Sequence, residues 1–118
     1  MEFRGLNEMA IAIYEGNKAK GFWDKERNVG ETLMLIVTEL AEALEAHRKG
    51  RMAADDSRLH PTKEEFEELY KDTFEDEIAD AMIRIFDFCG GTGIDLDFHI
   101  EQKVKYNSTR ERLHGKQY

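Results

Sequence analysis

Apolar residues along this chain recur at intervals of three and four rather than two, a pattern that predicts helices throughout. Leu6, Met9, Ala10 and Ile13 put one core-facing stripe on a first helix over residues 6–20, ended by Gly21. A second helix is expected over 29–49. Asn28-Val29-Gly30-Glu31 reads as its capping box, with Asn28 as N-cap, and Gly50 closes it. Within it, Leu33-Met34-Leu35-Ile36-Val37 is apolar on every side of the helix. Thr62-Lys63-Glu64-Glu65 is a second capping box, following a proline. From there Phe66, Leu69, Tyr70, Phe74, Ala81, Met82, Ile85 and Phe88 hold a period near 3.6 across 63–88, with Asp72-Thr73 the one place that nicks it. Gly90-Gly91-Thr92-Gly93 is expected to stop this third helix and turn the chain back. A fourth helix, capped by Asp95, runs over 95–111 with Leu96, Ile100, Val104 and Asn107 on one stripe. The expected fold is all-α, a four-helix antiparallel bundle forming a single domain over 1–118.

Two connections lack this periodicity. In the first, residues 21–27, Phe22 and Trp23 either plug one end of the bundle or offer a plate for a planar base, a stacking contact worth about 1–3 kcal/mol. The second, Arg51 to Pro61, reads as a mobile loop or lid. His60 within it is expected to be a solvated surface residue, and Asp55-Asp56 solvated acids rather than metal ligands. There is no internal repeat and no low-complexity stretch.

Composition narrows the setting. A chain of 118 residues makes one small domain, and its second and third helices carry more apolar surface than a monomer of that size hides, so a dimer or a dimer of dimers is expected. The formal net charge of −8 argues against binding duplex nucleic acid, which rests on neutralising phosphates with Lys and Arg. Cys89 is the single cysteine, no apolar run approaches the roughly 18 residues of a membrane span, and Glu2 stands where a signal peptide carries positive charge. A cytoplasmic protein without membrane attachment is expected.

Candidate chemistry sits in two short stretches, Glu39-Leu40-Ala41-Glu42 and Glu77-Ile78-Ala79-Asp80. Carboxylates three residues apart share a helix face, with Cβ atoms about 5–6 Å apart, so each pair can grip one ion. Both pairs continue apolar stripes and therefore point inward. Two like charges at 4 Å repel by about 4 kcal/mol at an effective dielectric of 20, so four converging acids call for a cation. Oxygen-only ligands suit Mg²⁺, with Mn²⁺ the alternative. A di-iron site would need Glu-x-x-His on two helices, and positions 42 and 80 are Glu and Asp. A plainer reading of Asp80 is a surface ion pair with Arg84 at i+4, worth about 0.3–0.5 kcal/mol. The tail is basic: Lys103, Lys105, Arg110, Arg112 and Lys116 either complement a helix C-terminus or hold a polyphosphate. Asn107-Ser108-Thr109 matches a glycosylation acceptor, idle without secretion.

The blocks Gly21-Phe22-Trp23-Asp24, Thr38 to Ala46, Asp76 to Arg84, and Lys103 to Arg110 followed by His114-Gly115-Lys116, taken in this order, resemble the short phage- and bacterial-type MazG-like nucleoside triphosphate pyrophosphohydrolases. The resemblance covers most of the chain. It departs in the distance from Glu42 to Glu77, longer than in many members, the excess falling in 51–73. The resemblance implies Mg²⁺-dependent hydrolysis of a (deoxy)nucleoside triphosphate to the monophosphate and pyrophosphate, a house-cleaning of the nucleotide pool, by a homo-oligomer. It implies metal ligation by Glu39, Glu42, Glu77 and Asp80, with Glu39 or Glu42 as the catalytic residue that orients or deprotonates water. It also implies nucleotide contacts from Trp23, Lys103, Tyr106, Asn107, Arg110 and Lys116. The competing readings are a phosphoribosyl-ATP or nucleotide-conjugate pyrophosphohydrolase on the same architecture, and a non-catalytic helical oligomerisation or binding module.

Overall fold

The computed structural model describes residues 5–54 and 60–117. Asp55 and Asp56 lie outside them. The described residues are helical, without a strand: α1 (Leu6–Ala19), α2 (Val29–Arg48), α3 (Lys63–Leu69), α4 (Phe74–Thr92), α5 (Leu96–Ser108) and a 3₁₀ turn, Arg112–Gly115. No described helix is long and apolar enough to cross a membrane. The chain divides into two compact units, one of Met1–Phe22 with Phe86–Tyr118, the other of Trp23–Ile85.

In the unit of Trp23–Ile85, α2 starts where its sequence says it should: the Asn28 Oδ1 accepts from the Glu31 N–H at 3.0 Å. Its buried face is Thr32, Ile36, Glu39, Ala43 and Ala46, spaced four and three apart. The helix predicted over 63–88 is two helices. Thr62 and Glu65 form the expected reciprocal capping box at the head of α3, but the chain breaks at Tyr70–Thr73, with Asp72 at φ 62°. The break is held by bonds that compete with a continuous helix. Asp72 N donates to Asp76 Oδ2 at 3.0 Å, Thr73 Oγ1 accepts from Asp76 N at 3.3 Å, and Phe74 N donates to the Arg51 carbonyl at 2.8 Å. A side chain capping a new first turn replaces the bonds the old helix would have made. The same contacts hold down the start of the segment expected to be a mobile lid. Besides Arg51, Ala53 N donates to Glu75 Oε1 at 2.9 Å, and the His47 ring meets Phe74 edge-on with centroids 5.3 Å apart. His60 is exposed, as expected.

In the other unit, α1 and α5 join at their N-termini. Asn7 Oδ1 accepts from Leu96 N at 2.8 Å, Asn7 Nδ2 donates to Asp95 Oδ1 at 2.8 Å, and the amides of Leu6 and Asn7 donate to the two Asp97 carboxylate oxygens at 3.1 and 3.3 Å. α1 has no side-chain cap of its own, so Asp97 satisfies amides that a helix start leaves open. Asp95 caps α5 as predicted, accepting from Phe98 N at 3.1 Å. Of the stripe expected to face the core from α1, Ala10 is buried but Met9 is 50% exposed.

The glycine cluster does not stop the helix where expected. α4 runs through Gly90 and Gly91 to Thr92 and ends at Gly93, whose φ is +75°. Gly90 serves packing instead: a Cβ there would strike the Ala10 carbonyl and lie 2.8 Å from Tyr14 Cβ. The fourth predicted helix ends at Ser108, and the residues beyond form the separate 3₁₀ turn, with Leu113 and His114 at φ 57° and 52°.

Candidate metal centre

Both acid pairs lie in the unit of Trp23–Ile85, and the first member of each sits on a buried stripe. On α2, Glu39 falls between Ile36 and Ala43 on the inward face. Thr73, just before α4, and Glu77 and Ala81 on it are buried at intervals of four, and Glu77 is only 6% exposed. Glu42, one turn beyond Glu39, is exposed. The three glutamates each bring a carboxylate oxygen within 4.8 Å of the other two. A second acidic group, Asp72, Asp76 and Glu77, meets the same criterion, so Glu77 belongs to both. Asp80 joins neither group, although it is close enough for its ionisation to feel Asp76, Glu39 and Glu42.

Arg84 supplies the first charge compensation. Its Nε donates to Glu39 Oε1 at 2.8 Å. The sequence suggested Arg84 as the i+4 partner of Asp80; it is bonded instead across to α2, and to Asp80 it is a nearby positive charge that favours ionisation. Glu77 has no such partner. Its Oε2 is buried with no hydrogen-bond donor, an arrangement that costs free energy unless a cation or a proton occupies it. Burial first, then the hydrogen bond and charge of Glu42 and the charges of Asp80 and Glu39, push the Glu77 carboxyl up from 4.5 to about 7. Burial also raises Asp80, helped by Asp76, Glu39 and Glu42. A divalent cation fits this donor set: hard carboxylate oxygens from two helices, one of them buried without a partner, and more acid than one arginine balances.

Beside the acids, α3 and α4 enclose an open groove of about 780 Å³. Its walls include Lys63 and Phe66 of α3, Lys71, and Asp76, Asp80 and Ile83 of α4. Sequence reasoning missed it because it exists only where the predicted third helix breaks.

The residues expected to bind nucleotide fall in two places. Trp23 lies in the unit of Trp23–Ile85 with the guanidinium of Arg27 over its ring, 4.3 Å from the centroid, so one face of the aromatic plate is already covered. Lys103, Tyr106, Asn107 and Arg110 belong to the other unit and lie along one side of α5 and its end. There Tyr106 is flanked by Lys103 Nζ at 5.4 Å and the Arg110 guanidinium at 5.5 Å. Asn107 Oδ1 is buried with no hydrogen-bond partner. Lys116 is exposed just after the 3₁₀ turn.

Comparison of the chain with protein-family models, curated proteins and solved structures returns no match in any of the three.

Proposed function

We propose that this protein is a divalent-cation-dependent nucleoside triphosphate pyrophosphohydrolase. The observation that carries the reading is the convergence of Glu39, Glu42 and Glu77, with the Glu77 Oε2 buried and unpartnered among them. The MazG-like order of sequence blocks supplies the reaction class. Glu39, Glu42 and Glu77 would hold Mg²⁺ or Mn²⁺, with Asp80 beside them. Such an ion supplies charge neutralisation to the phosphate chain and acidifies water.

The chain's own residues divide the remaining work. Glu39 is tied to Arg84, so Glu42, exposed and outside that ion pair, is the better acceptor for the proton of an attacking water. That water adds to the α-phosphorus as the bond to the pyrophosphate leaving group breaks. On the strength of the resemblance alone, Lys103, Asn107 and Arg110, with Tyr106 and Lys116, are assigned to phosphate and sugar. The resemblance places Trp23 near the base.

A second copy of the chain is proposed as the cover for an apolar stripe of α2. Leu33, Val37, Leu40 and Leu44 recur at four, three and four residues, the seam spacing of a two-helix coil, and each is 48–51% exposed. This stripe adjoins the buried one and gives α2 two apolar faces.

The test incubates the protein with Mg²⁺ and a panel of canonical and deoxynucleoside triphosphates, phosphoribosyl-ATP and dinucleotide conjugates, with products identified by ³¹P NMR. Monophosphate and pyrophosphate appearing together, and lost in Glu39→Gln and Glu77→Gln, support the reading. Release of orthophosphate, or no product from any compound, overturns it.

A further inference from the structure

We propose that the groove between α3 and α4 binds the nucleoside part of the substrate, with Phe66 as the aromatic wall against the base. This rests on the nucleotide reading above and adds the surface that sets its specificity. Three features point to a nucleoside. The groove's volume, about 780 Å³, falls within the roughly 300–1,000 Å³ typical of small-molecule sites. Its walls pair an apolar surface with charge: Phe66 and Ile83 are 40% and 42% exposed, and Lys63 and Lys71 line the same space. A base needs the first and phosphate oxygens suit the second.

The third feature is continuity with the acids. Asp76, Ala79, Asp80 and Ile83 all line the groove and follow each other at three, one and three residues along α4. One stripe therefore runs from acid to apolar over about 10 Å, at 1.5 Å per residue. Asp76 stands in the cluster with Glu77. Phosphates directed to the acid end and their cation thus leave the base beside Ile83 and Phe66. Phe66 is half of a tilted ring pair with Tyr70, centroids 5.9 Å apart, which fixes its plane without burying it. The groove is open because Tyr70–Thr73 breaks the helix.

The experiment is a titration of ¹⁵N-labelled full-length protein with Mg²⁺ and a nucleoside triphosphate whose α,β-bridge is methylene, so that nothing is cleaved. Inorganic tripolyphosphate serves as the base-free control. The groove reading expects amide shifts at Lys63–Glu67 and Ala79–Ile83 with the nucleotide, and the Lys63–Glu67 shifts absent with tripolyphosphate. It expects Phe66→Ala to weaken the nucleotide 5- to 100-fold while leaving tripolyphosphate affinity unchanged. Should Phe66→Ala not fold, Phe66→Leu, which keeps the apolar volume and loses the ring, replaces it with the same expectation. Nucleotide binding that leaves Lys63–Glu67 unmoved overturns the groove and leaves the hydrolase standing. Absence of nucleotide binding overturns both. Shifts in those amides that follow protein concentration instead of nucleotide mark the groove as a self-association surface and also overturn the proposal.

Discussion

Replacing Glu77 by glutamine should stabilise the cation-free protein above neutral pH and remove most of what a divalent cation adds. The folded-state carboxyl titrates near 7 against a usual 4.5, because it is buried and crowded by Glu42, Asp80 and Glu39. A folded state that holds its proton more tightly than the unfolded chain is favoured most below pH 4.5 and loses that advantage as pH rises through about 7. At about 1.4 kcal/mol for each pH unit, the group's share of that loss is about 3 kcal/mol, or roughly 10 °C of Tm for a domain of this size. Glutamine carries no charge to desolvate, and its amide can donate to Glu42. Differential scanning calorimetry in EDTA from pH 5 to 8, repeated with excess Mg²⁺, reads the effect. The wild type should fall in Tm across this range and recover with Mg²⁺; Glu77→Gln should be flatter, higher at pH 8, and nearly indifferent to Mg²⁺. Parallel wild-type and variant profiles, or an equal Mg²⁺ increment in both, would refute the reasoning, since a ligand of the folded state must raise its stability.

Arg84→Met should cost the cation-free protein about 1 kcal/mol, the worth of a charge-assisted bond discounted for a partly exposed arginine, while enlarging the Mg²⁺ increment; thermal melts with and without Mg²⁺ check both. Gly90→Ala should lower stability by about 1–3 kcal/mol through collision with Ala10 and Tyr14, with the Mg²⁺ increment unchanged, read by urea unfolding. Leu40→Lys should shift the protein toward its 13.7 kDa monomer in size-exclusion chromatography with light scattering; a monomeric wild type contradicts the apolar seam on α2. Asn7→Ala removes three hydrogen bonds between α1 and α5 and should cost about 1–3 kcal/mol, seen as faster amide exchange at Leu6 and Leu96.

What the sequence made legible was local. Asn28, Thr62 and Asp95 each cap the helix that follows through a bond to an amide three residues on, a contact whose partners are adjacent in the chain. Glu39 and Glu77 could be picked out because each sits on an apolar stripe that carries its direction inward, whereas their three-residue neighbours depart from the expectation: Glu42 is exposed and Asp80 joins neither acidic group. The break at Tyr70–Thr73 was harder to see, since Phe66, Leu69, Tyr70 and Phe74 keep helical spacing straight through it. Its signal was Thr73 followed by acids at 75, 76 and 77, a helix start in miniature. Gly90 departs from its expected helix stop for a different reason: it acts on a residue far away in sequence, Ala10, which no local pattern reveals; Arg84 likewise reaches Glu39, not the i+4 Asp80 of the plainer reading. The α3–α4 groove inherits the first of these blind spots, being a product of the break.

The measurement closest to the central claim is a Mn²⁺ titration of the apoprotein followed by electron paramagnetic resonance, which counts the ion as it leaves the free hexaaqua pool. Saturable binding in the wild type, abolished by Glu39→Gln combined with Glu77→Gln and retained when Glu45, an exposed acid of the same helix paired with Lys49, becomes Gln, is the predicted result. Binding of the same strength in the double variant would place the cation elsewhere and contradict the account.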